Sequence, residues 1–222
     1  MITIRNLCKE FKGDSGSFKV IKNINFHIGD NDFITIMGPS GGGKSTLLQI
    51  IGGLTAPTDG EINYNGDILD YKNDKVLNKY RRENIGFIFQ NPNLISSLSP
   101  AENLIIAMNS NESYKNKEKR AKSLLESVGL AKKYNANVSS LSGGEAQRVA
   151  IVRALVNNPK IILCDEPTGA LDSENSNNVL NILMNIKKEK KCALIIVTHD
   201  NNIAKLGERQ IFLKDGEINE MV

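Results

Sequence analysis

The sequence predicts an α/β fold built on a parallel sheet, in a single domain of 222 residues. Strands that are buried on both faces of a parallel sheet read as continuous apolar runs, and two such runs are present. The first, FITIM at 33–37, leads into a glycine-rich loop and a helical apolar pattern; the second, IILC at 161–164, leads into two carboxylates. A chain of this length can form one α/β core with a small inserted subdomain, but not two domains.

The first motif, GPSGGGKS at 38–45, lies between the predicted strand and a predicted helix at 46–51. It fits the pattern G-x-x-x-x-G-K-[ST], in which glycines let consecutive backbone N–H groups turn toward a polyphosphate beside the helix N-terminus. Lys44 is expected to reach the β- and γ-phosphates, and Ser45 to bind Mg²⁺. A glycine-rich turn without a ligand is the alternative. The residues predicted to hold the nucleotide here are Gly38, Ser40, Gly41, Gly42, Gly43, Lys44, Ser45 and Thr46.

The second motif is the strand pattern at 160–164 followed by Asp165 and Glu166. The carboxyl end of a parallel strand opens onto the ligand crevice, so Asp165 is expected beside Mg²⁺. Glu166 could polarise the water that attacks the γ-phosphate. Alone, this pattern would be better explained as a solvated strand end, but the loop at 38–45 favours the catalytic interpretation.

The third motif, LSGGEAQR at 141–148, places two glycines at the start of another predicted helix. Ser142, Gly143 and Gly144 would leave free N–H groups there, which predicts a second anion site. This second site could complete a nucleotide that is bound by another copy of the chain. A serine cap at an ordinary helix start is the alternative.

Composition limits the function less than the motifs do. The chain has 28 basic and 25 acidic residues, a net charge of +3 that neither requires nor excludes nucleic acid. Cys8, Cys164 and Cys192 form no metal-ligand pattern, and we expect buried thiols in a reducing compartment. The absence of a signal peptide and of a long apolar run predicts an intracellular protein.

The order of these motifs resembles that of the ATP-binding-cassette (ABC) ATPases, over essentially the whole chain. The resemblance implies ATP and Mg²⁺ as ligands, Glu145 as part of the signature motif at 141–148, and Asp172 as part of the D-loop. It also implies that Gln90 is a catalytic residue and Mg²⁺ ligand, and that His199 contacts the γ-phosphate. Phe11 stands where the family stacks an aromatic ring on adenine; it could equally be a core residue, and Phe18 is a weaker candidate.

Three positions depart from the family pattern. Gly42 stands where many members have serine, and QNPN at 90–93 differs from the usual Gln-x-Phe-Asn at a loop that faces the partner. Asn31 stands where members often have glycine, and we expect it to adopt a positive φ.

The resemblance also implies an architecture. We expect a nucleotide-binding core at 1–89 and 161–222, with an antiparallel β portion near the N-terminus. A helical subdomain that carries the signature motif would be inserted at 90–160.

Three stretches, at 86–90, 101–104 and 165–172, are similar to the macrolide-exporter and lipoprotein-release branch (MacB and LolD type). This branch implies a homodimer around two ATP molecules that drives a separate membrane permease with an extracytoplasmic domain. The subunit would then be cytoplasmic and peripheral on the inner face of the membrane.

Two other functions are alternatives. The first is a regulatory ATPase of the FtsE type, which signals across the membrane without transport. The second is an ABC protein of DNA repair or translation, which should show a long coiled-coil insertion or tandem cassettes. Neither feature is visible in the sequence, so we expect no nucleic-acid partner.

Overall fold

The computed structural model describes residues 1–13, 16–109, 111–189 and 192–221. The strands within these ranges are β1 (Ile2–Gly13), β2 (Gly16–Ile28), β3 (Phe33–Met37), β4 (Asp59–Tyr64), β5 (Asp67–Ile68), β6 (Ile85–Ile88), β7 (Ile161–Asp165), β8 (Ala193–Val197), β9 (Arg209–Lys214) and β10 (Glu217–Met221). The α-helices are α1 (Lys44–Ile51), α2 (Asp74–Asn84), α3 (Pro100–Ala107), α4 (Tyr114–Ser127), α5 (Gly143–Leu155), α6 (Ser173–Glu189) and α7 (Asn201–Ala204).

The larger sheet has the strand order β10-β9-β3-β8-β7-β6. The strands from β9 to β6 run parallel, and β10 pairs antiparallel with β9. All five residues of β8 are buried, because α1 and the smaller sheet cover one face of the larger sheet and α5 and α6 cover the other. The parallel core predicted from the two apolar runs is confirmed.

The smaller sheet is antiparallel, with the order β2-β1-β4-β5. β1 pairs with β2 from Ile2 opposite Ile28 to Gly13 opposite Gly16. This is the antiparallel β portion that was expected near the N-terminus.

Helices α3, α4 and α5 lie between β6 and β7 and enclose a cluster of buried side chains of their own. Two of these helices begin with a capping box, in which a serine side chain and a glutamate three residues later satisfy each other's backbone N–H groups. The pairs are Ser99 with Glu102 for α3 and Ser142 with Glu145 for α5. The boundaries at 90 and 160 stay a prediction.

The two sheets meet at the turn between β9 and β10. Asp215 and Gly216 both have positive φ, 53° and 82°, as a two-residue hairpin turn of type I′ requires. The carbonyl oxygen of Gly216 accepts a hydrogen bond of 2.8 Å from the Lys22 N–H in β2. A Cβ atom at Gly216 would lie 2.8 Å from the carbonyl oxygen of Val20, so the turn has no room for a side chain there.

Two expectations from the sequence are wrong. Cys164 and Cys192 are buried, but Cys8 is only partly buried. It lies on β1, where its Sγ accepts a hydrogen bond from the backbone N–H of Asn23. Asn31 is not among the residues with positive φ in the described ranges, so its turn does not require a glycine-like conformation. Across the same ranges, no helix has both the length and the apolar character needed to cross a bilayer.

Candidate functional site

The glycine-rich loop connects β3 to α1 at the carboxyl edge of the larger sheet. Gly38, Gly41 and Gly43 have φ values of 150°, 76° and 92°, which side chains rarely tolerate. A Cβ atom at Gly38 would lie 1.9 Å from the carbonyl oxygen of Leu213 in β9, and one at Gly43 would lie 2.8 Å from that of Val20 in β2. The loop is therefore held between the two sheets, and it can keep this shape only with glycines.

Lys44 begins α1 and is 7% exposed. Its Nζ donates hydrogen bonds to the carbonyl oxygens of Gly38 (2.9 Å) and Pro39 (2.8 Å). An ammonium group has three N–H donors, so one remains for an anion at the loop.

A cavity of about 370 Å³ lies over this loop. Both aromatic candidates line it, and their ring centroids are 6.0 Å apart, because Phe11 and Phe18 face each other across β1 and β2. Phe18 is 55% exposed and Phe11 37% exposed. The two rings form one apolar wall of the cavity. The remaining lining residues are Val20, Ser40, Gly41, Gly42, Gly43, Lys44, Ser45, Thr46 and Glu166.

Ser45 and Asp165 meet where β7 ends. The Ser45 hydroxyl donates a hydrogen bond of 2.9 Å to Oδ1 of Asp165. Burial raises the pKa of Asp165, although the Ser45 hydrogen bond and the Lys44 charge oppose this shift. A partly buried carboxylate beside a hydroxyl is an oxygen donor set of the kind that Mg²⁺ prefers.

Glu166 follows β7 with a φ of 47°, a strained value for a residue other than glycine. Its backbone N–H donates to the carbonyl oxygen of Val197 (3.0 Å). The carboxylate lines the glycine-loop cavity, and its Oε2 lies 3.1 Å from Nδ1 of His199. It also lines a second cavity of about 570 Å³ with His199, so it stands between the two.

Gln90 follows β6 and approaches Glu166 at Gly169. A Cβ atom at Gly169 would lie 2.8 Å from Nε2 of Gln90 and 3.2 Å from Oε2 of Glu166. The structure thus brings Gln90, Glu166 and His199 together, beside the loop that carries Lys44 and Ser45.

The residues of the third motif lie apart from this group. Ser142 and Gly143 are exposed at the start of α5, and neither is among the described residues that line the glycine-loop cavity. Glu145 accepts a hydrogen bond from the Ser142 N–H (3.0 Å), and this bond lowers the pKa of Glu145.

Gly144 and Asp172 are linked through Asn175. A Cβ atom at Gly144 would lie 2.1 Å from Oδ1 of Asn175. Asp172 accepts two hydrogen bonds of 2.8 Å from Asn175, and these lower the pKa of Asp172. Asp172 thus joins the first turn of α6 to the start of α5 within one chain.

The profile of the ABC transporter family matches residues 21–169. The chain belongs to the ABC transporter family. The ABC transporter ATP-binding protein MJ0796 of Methanocaldococcus jannaschii is 44% identical over 98% of this chain and 95% of its own length. A solved dimeric structure of that protein, in a post-hydrolysis state bound to ADP and Pi, superposes on the whole chain with a TM-score of 0.92.

Two other ABC relatives indicate the branch. The lipoprotein-releasing system ATP-binding protein LolD of Syntrophus aciditrophicus is 42% identical over 98% of both chains. The macrolide export ATP-binding/permease protein MacB 2 of Yersinia pestis is 42% identical over 98% of this chain but only 32% of its own length. This ABC chain is therefore an ATP-binding ATPase of the LolD and MacB type.

Two residues that lie next to Gln90 and Glu166 or to their chain neighbours were not singled out in the sequence. Gly169 ends the turn Glu-Pro-Thr-Gly, whose proline and glycine mark it as a turn but not as a contact surface. Gln147 is 1% exposed and lies one turn before the buried Ala150 and Ile151 on α5. A polar residue on the apolar face of a predicted helix was the available signal.

Proposed function

We propose that this chain is the ATP-hydrolysing subunit of a transporter, in which two copies close around two ATP molecules and drive a separate membrane permease. The observation that carries the proposal is that Glu166 and the glycine loop line the same cavity, with His199 in contact with Glu166. Phosphoryl transfer depends mainly on positioning and charge stabilisation, and these residues can supply both.

The loop residues bind the nucleotide. Backbone N–H groups of residues 38–46 and the N-terminus of α1 surround the phosphates, and Lys44 adds its free N–H. The adenine stacks on Phe11, with Phe18 beside it, because a phenyl ring offers a flat apolar face. The positive φ of Gly41, where an added Cβ would meet nothing within 4 Å, supports this role, since a phosphate needs bare backbone at the loop.

Ser45, Asp165 and Gln90 would hold Mg²⁺. The hydroxyl and carboxylate oxygens are already 2.9 Å apart, and Gln90 can add its amide oxygen. In the described residues no cluster of three or more His, Cys, Asp and Glu side chains is suited to a metal. When bound, Mg²⁺ supplies positive charge against the phosphates.

Glu166, Gln90 and His199 act in hydrolysis. Glu166 accepts a hydrogen bond from the attacking water, whose oxygen forms a bond to the γ-phosphorus as the bond to the bridging oxygen breaks. His199 leaves Glu166 to donate to the γ-phosphate, and its 68% exposed side chain has room to turn. Gln90 lies against the same Gly169 surface and helps to position the water.

The second half of each site comes from the other copy. Ser142, Gly143, Gly144 and Glu145 would contact the γ-phosphate held by the partner's loop, and Asp172 would lie at the same interface. The exposure of Ser142 and Gly143 supports this assignment, as does the dimeric form of MJ0796.

The permease is a separate chain with an extracytoplasmic domain, and the ATPase lies on the cytoplasmic face of the membrane. The name of MacB 2 includes a permease, which supports a membrane permease as the partner of this ATPase. Residues 1–89 and 161–222 form the nucleotide-binding core, and 90–160 form the helical subdomain. Relatives named for lipoprotein release and macrolide export favour transport over an FtsE-like signalling role.

The first prediction tests this function with E166Q, because removing the carboxylate should stop hydrolysis while Lys44, Ser45 and Asp165 still hold Mg-ATP. We expect the rate of ATP hydrolysis to fall at least about 100-fold. Size-exclusion chromatography should show a dimer with ATP and a monomer with ADP.

E126Q is the matched control, because Glu126 is an exposed carboxylate on α4, far from the loop in sequence. It should hydrolyse ATP at the wild-type rate. A monomeric E166Q at saturating ATP, or one with wild-type hydrolysis, would contradict the proposal.

A further inference from the structure

The side chain of Gln147 connects three segments of the chain. Its Nε2 donates hydrogen bonds to the carbonyl oxygens of Phe89 (3.0 Å) and Pro167 (2.9 Å), while its backbone belongs to α5. The two acceptors lie just after neighbouring parallel strands, since Phe89 follows β6 and Pro167 is the second residue after β7. One amide group therefore fixes the start of α5 against both strand ends.

The two acceptor carbonyls adjoin catalytic candidates. Phe89 directly precedes Gln90, and Pro167 directly follows Glu166. The side chains of Gln90 and Glu166 meet at Gly169, where an added Cβ would be 2.8 Å from one and 3.2 Å from the other. Gln147 thus holds the backbone directly next to each of the two residues that meet at Gly169.

The orientation of this amide is fixed by its partners. Both N–H donors of Nε2 face carbonyl oxygens, and exchanging Nε2 with Oε1 would place three oxygens together. Oε1 is buried and has no hydrogen-bond partner in the described structure. Leaving a buried acceptor unsatisfied costs about 1–3 kcal/mol. An apolar side chain would fill the space without this cost, so the two donated bonds are what the amide adds.

The bond to Pro167 supports a strained turn. Glu166 has a φ of 47° and precedes a proline, and such conformations persist only where surrounding contacts hold them. Two backbone bonds contribute, from Glu166 N–H to Val197 and from Gly169 N–H to Glu166, both 3.0 Å long. Gln147 is the side chain from α5 that reaches this turn.

Arg153 provides an internal comparison on the same helix. Its guanidinium donates to the carbonyl oxygens of Asn93 (2.7 Å) and Pro92 (2.9 Å). Gln147 and Arg153 thus hold the loop after β6 at its two ends, but both of these guanidinium bonds go to that loop and not to the Glu166 turn.

We propose that Gln147 is a positioning residue that sets the placement of Gln90 and Glu166 relative to each other and to the start of α5. Any shift of α5 is then passed to both residues together. The inference rests on the proposed function and adds a residue that touches neither nucleotide nor metal. Because Gln147 lies outside the nucleotide cavity, its loss should act on kcat and leave ATP affinity unchanged.

The second prediction tests this with Q147M, which keeps the length of the side chain but removes both donors. We expect kcat for ATP hydrolysis to fall about 10- to 100-fold, because small misplacements of catalytic groups have effects of this size. The affinity for ATP, measured by direct binding, should stay at the wild-type value. R153M, which removes two bonds from the same loop but none from the Glu166 turn, should lose clearly less of its kcat.

Each other outcome has a defined meaning. If the wild-type chain does not hydrolyse ATP, the proposed function fails. If the wild type hydrolyses ATP and Q147M has the same kcat, the inference about Gln147 alone fails. Equal losses of ATP affinity and kcat in Q147M, or an equal kcat loss in R153M, would also overturn it, because general support of the fold or the loop would then suffice. If Q147M is unfolded at the assay temperature, Q147N replaces it under the same criteria, since its shorter amide cannot reach both carbonyls.

Discussion

The charged form of Asp165 is unfavourable for folding, although the proposed role of this carboxylate at Mg²⁺ requires the charge. Burial raises its pKa above the usual value of 3.8, which means that the folded chain resists the charged form. A raised pKa in the folded state costs stability as the pH rises through the interval between 3.8 and the folded value, and the cost is constant above it. Metal sites often accept such a cost in exchange for function.

The third prediction follows for D165N. Without nucleotide, its unfolding midpoint at pH 7 should lie roughly 2–4 °C above that of the wild type. The difference should shrink as the pH falls toward 3.8, because the wild-type carboxyl is then neutral too. Thermal unfolding from pH 4 to pH 7 measures this, with D67N as the control, since Asp67 is exposed on β5. A D165N midpoint below the wild type at pH 7 would contradict the prediction.

At the scale of single residues, the sequence identified polar groups better than backbone strain. Lys44, Ser45 and Asp165 could be predicted because their residue types follow a fixed pattern beside a strand. The φ of 47° at Glu166 could not be predicted, because it depends on hydrogen bonds of this turn with Val197 and Gln147, which are distant in the chain. The pairing of Phe18 with Phe11 could not be predicted for the same reason, since it is a cross-strand contact.

At the scale of elements, α3 and α5 begin with the same capping box but should differ in function. The Ser99 hydroxyl accepts from Glu102 N–H at 3.2 Å, and the Ser142 hydroxyl accepts from Glu145 N–H at 3.2 Å. Loss of such a cap costs about 1 kcal/mol of stability. The structural cost of changing either serine is therefore similar, which makes the pair a controlled comparison.

The fourth prediction compares S142R with S99R. Both should lower stability by about 1 kcal/mol. S142R should bind ATP with wild-type affinity as a monomer but lose hydrolysis, because the arginine would obstruct the partner's nucleotide. S99R should hydrolyse ATP normally. Chemical unfolding, nucleotide binding and hydrolysis rates distinguish the two, and full activity in S142R would argue against a shared site.

Helices and strands with a strong local pattern could be predicted from the sequence, but the elements against which they pack could not. The strand at 33–37 and the helix after the loop have the apolar spacing of their types, and the structure places them there. The contact of Gly144 with Asn175, which joins α5 to α6, involves residues about thirty positions apart. Neither a glycine nor an asparagine at these positions predicts such a contact from the sequence.

At the scale of the whole molecule, two hairpin turns with the same geometry have different surroundings. Asn65–Gly66 and Asp215–Gly216 both have positive φ at both positions. A Cβ at Gly66 would meet nothing within 4 Å, whereas one at Gly216 would lie 2.8 Å from the Val20 carbonyl oxygen. Only the second turn joins the two sheets, and Val20 also lines the nucleotide cavity.

The fifth prediction uses this difference. G66A should cost about 1 kcal/mol from backbone strain alone and leave ATP affinity unchanged. G216A should lower stability further and weaken ATP binding, because the two sheets must separate to admit the methyl group. Chemical unfolding and ATP titration measure both. Equal effects of the two substitutions would show that the contact between the sheets does not support the site.

The contact of Gly38 with Leu213 has a consequence for when the glycine loop can fold during synthesis of the chain. The glycine loop is synthesised early, yet one of its walls is the backbone of β9, which is made about 170 residues later. Contacts between such distant parts form late in folding, because the intervening chain must be ordered first. A growing chain on the ribosome would therefore carry the loop for most of its synthesis without the wall that shapes it, and nucleotide binding would begin only when β9 has been added.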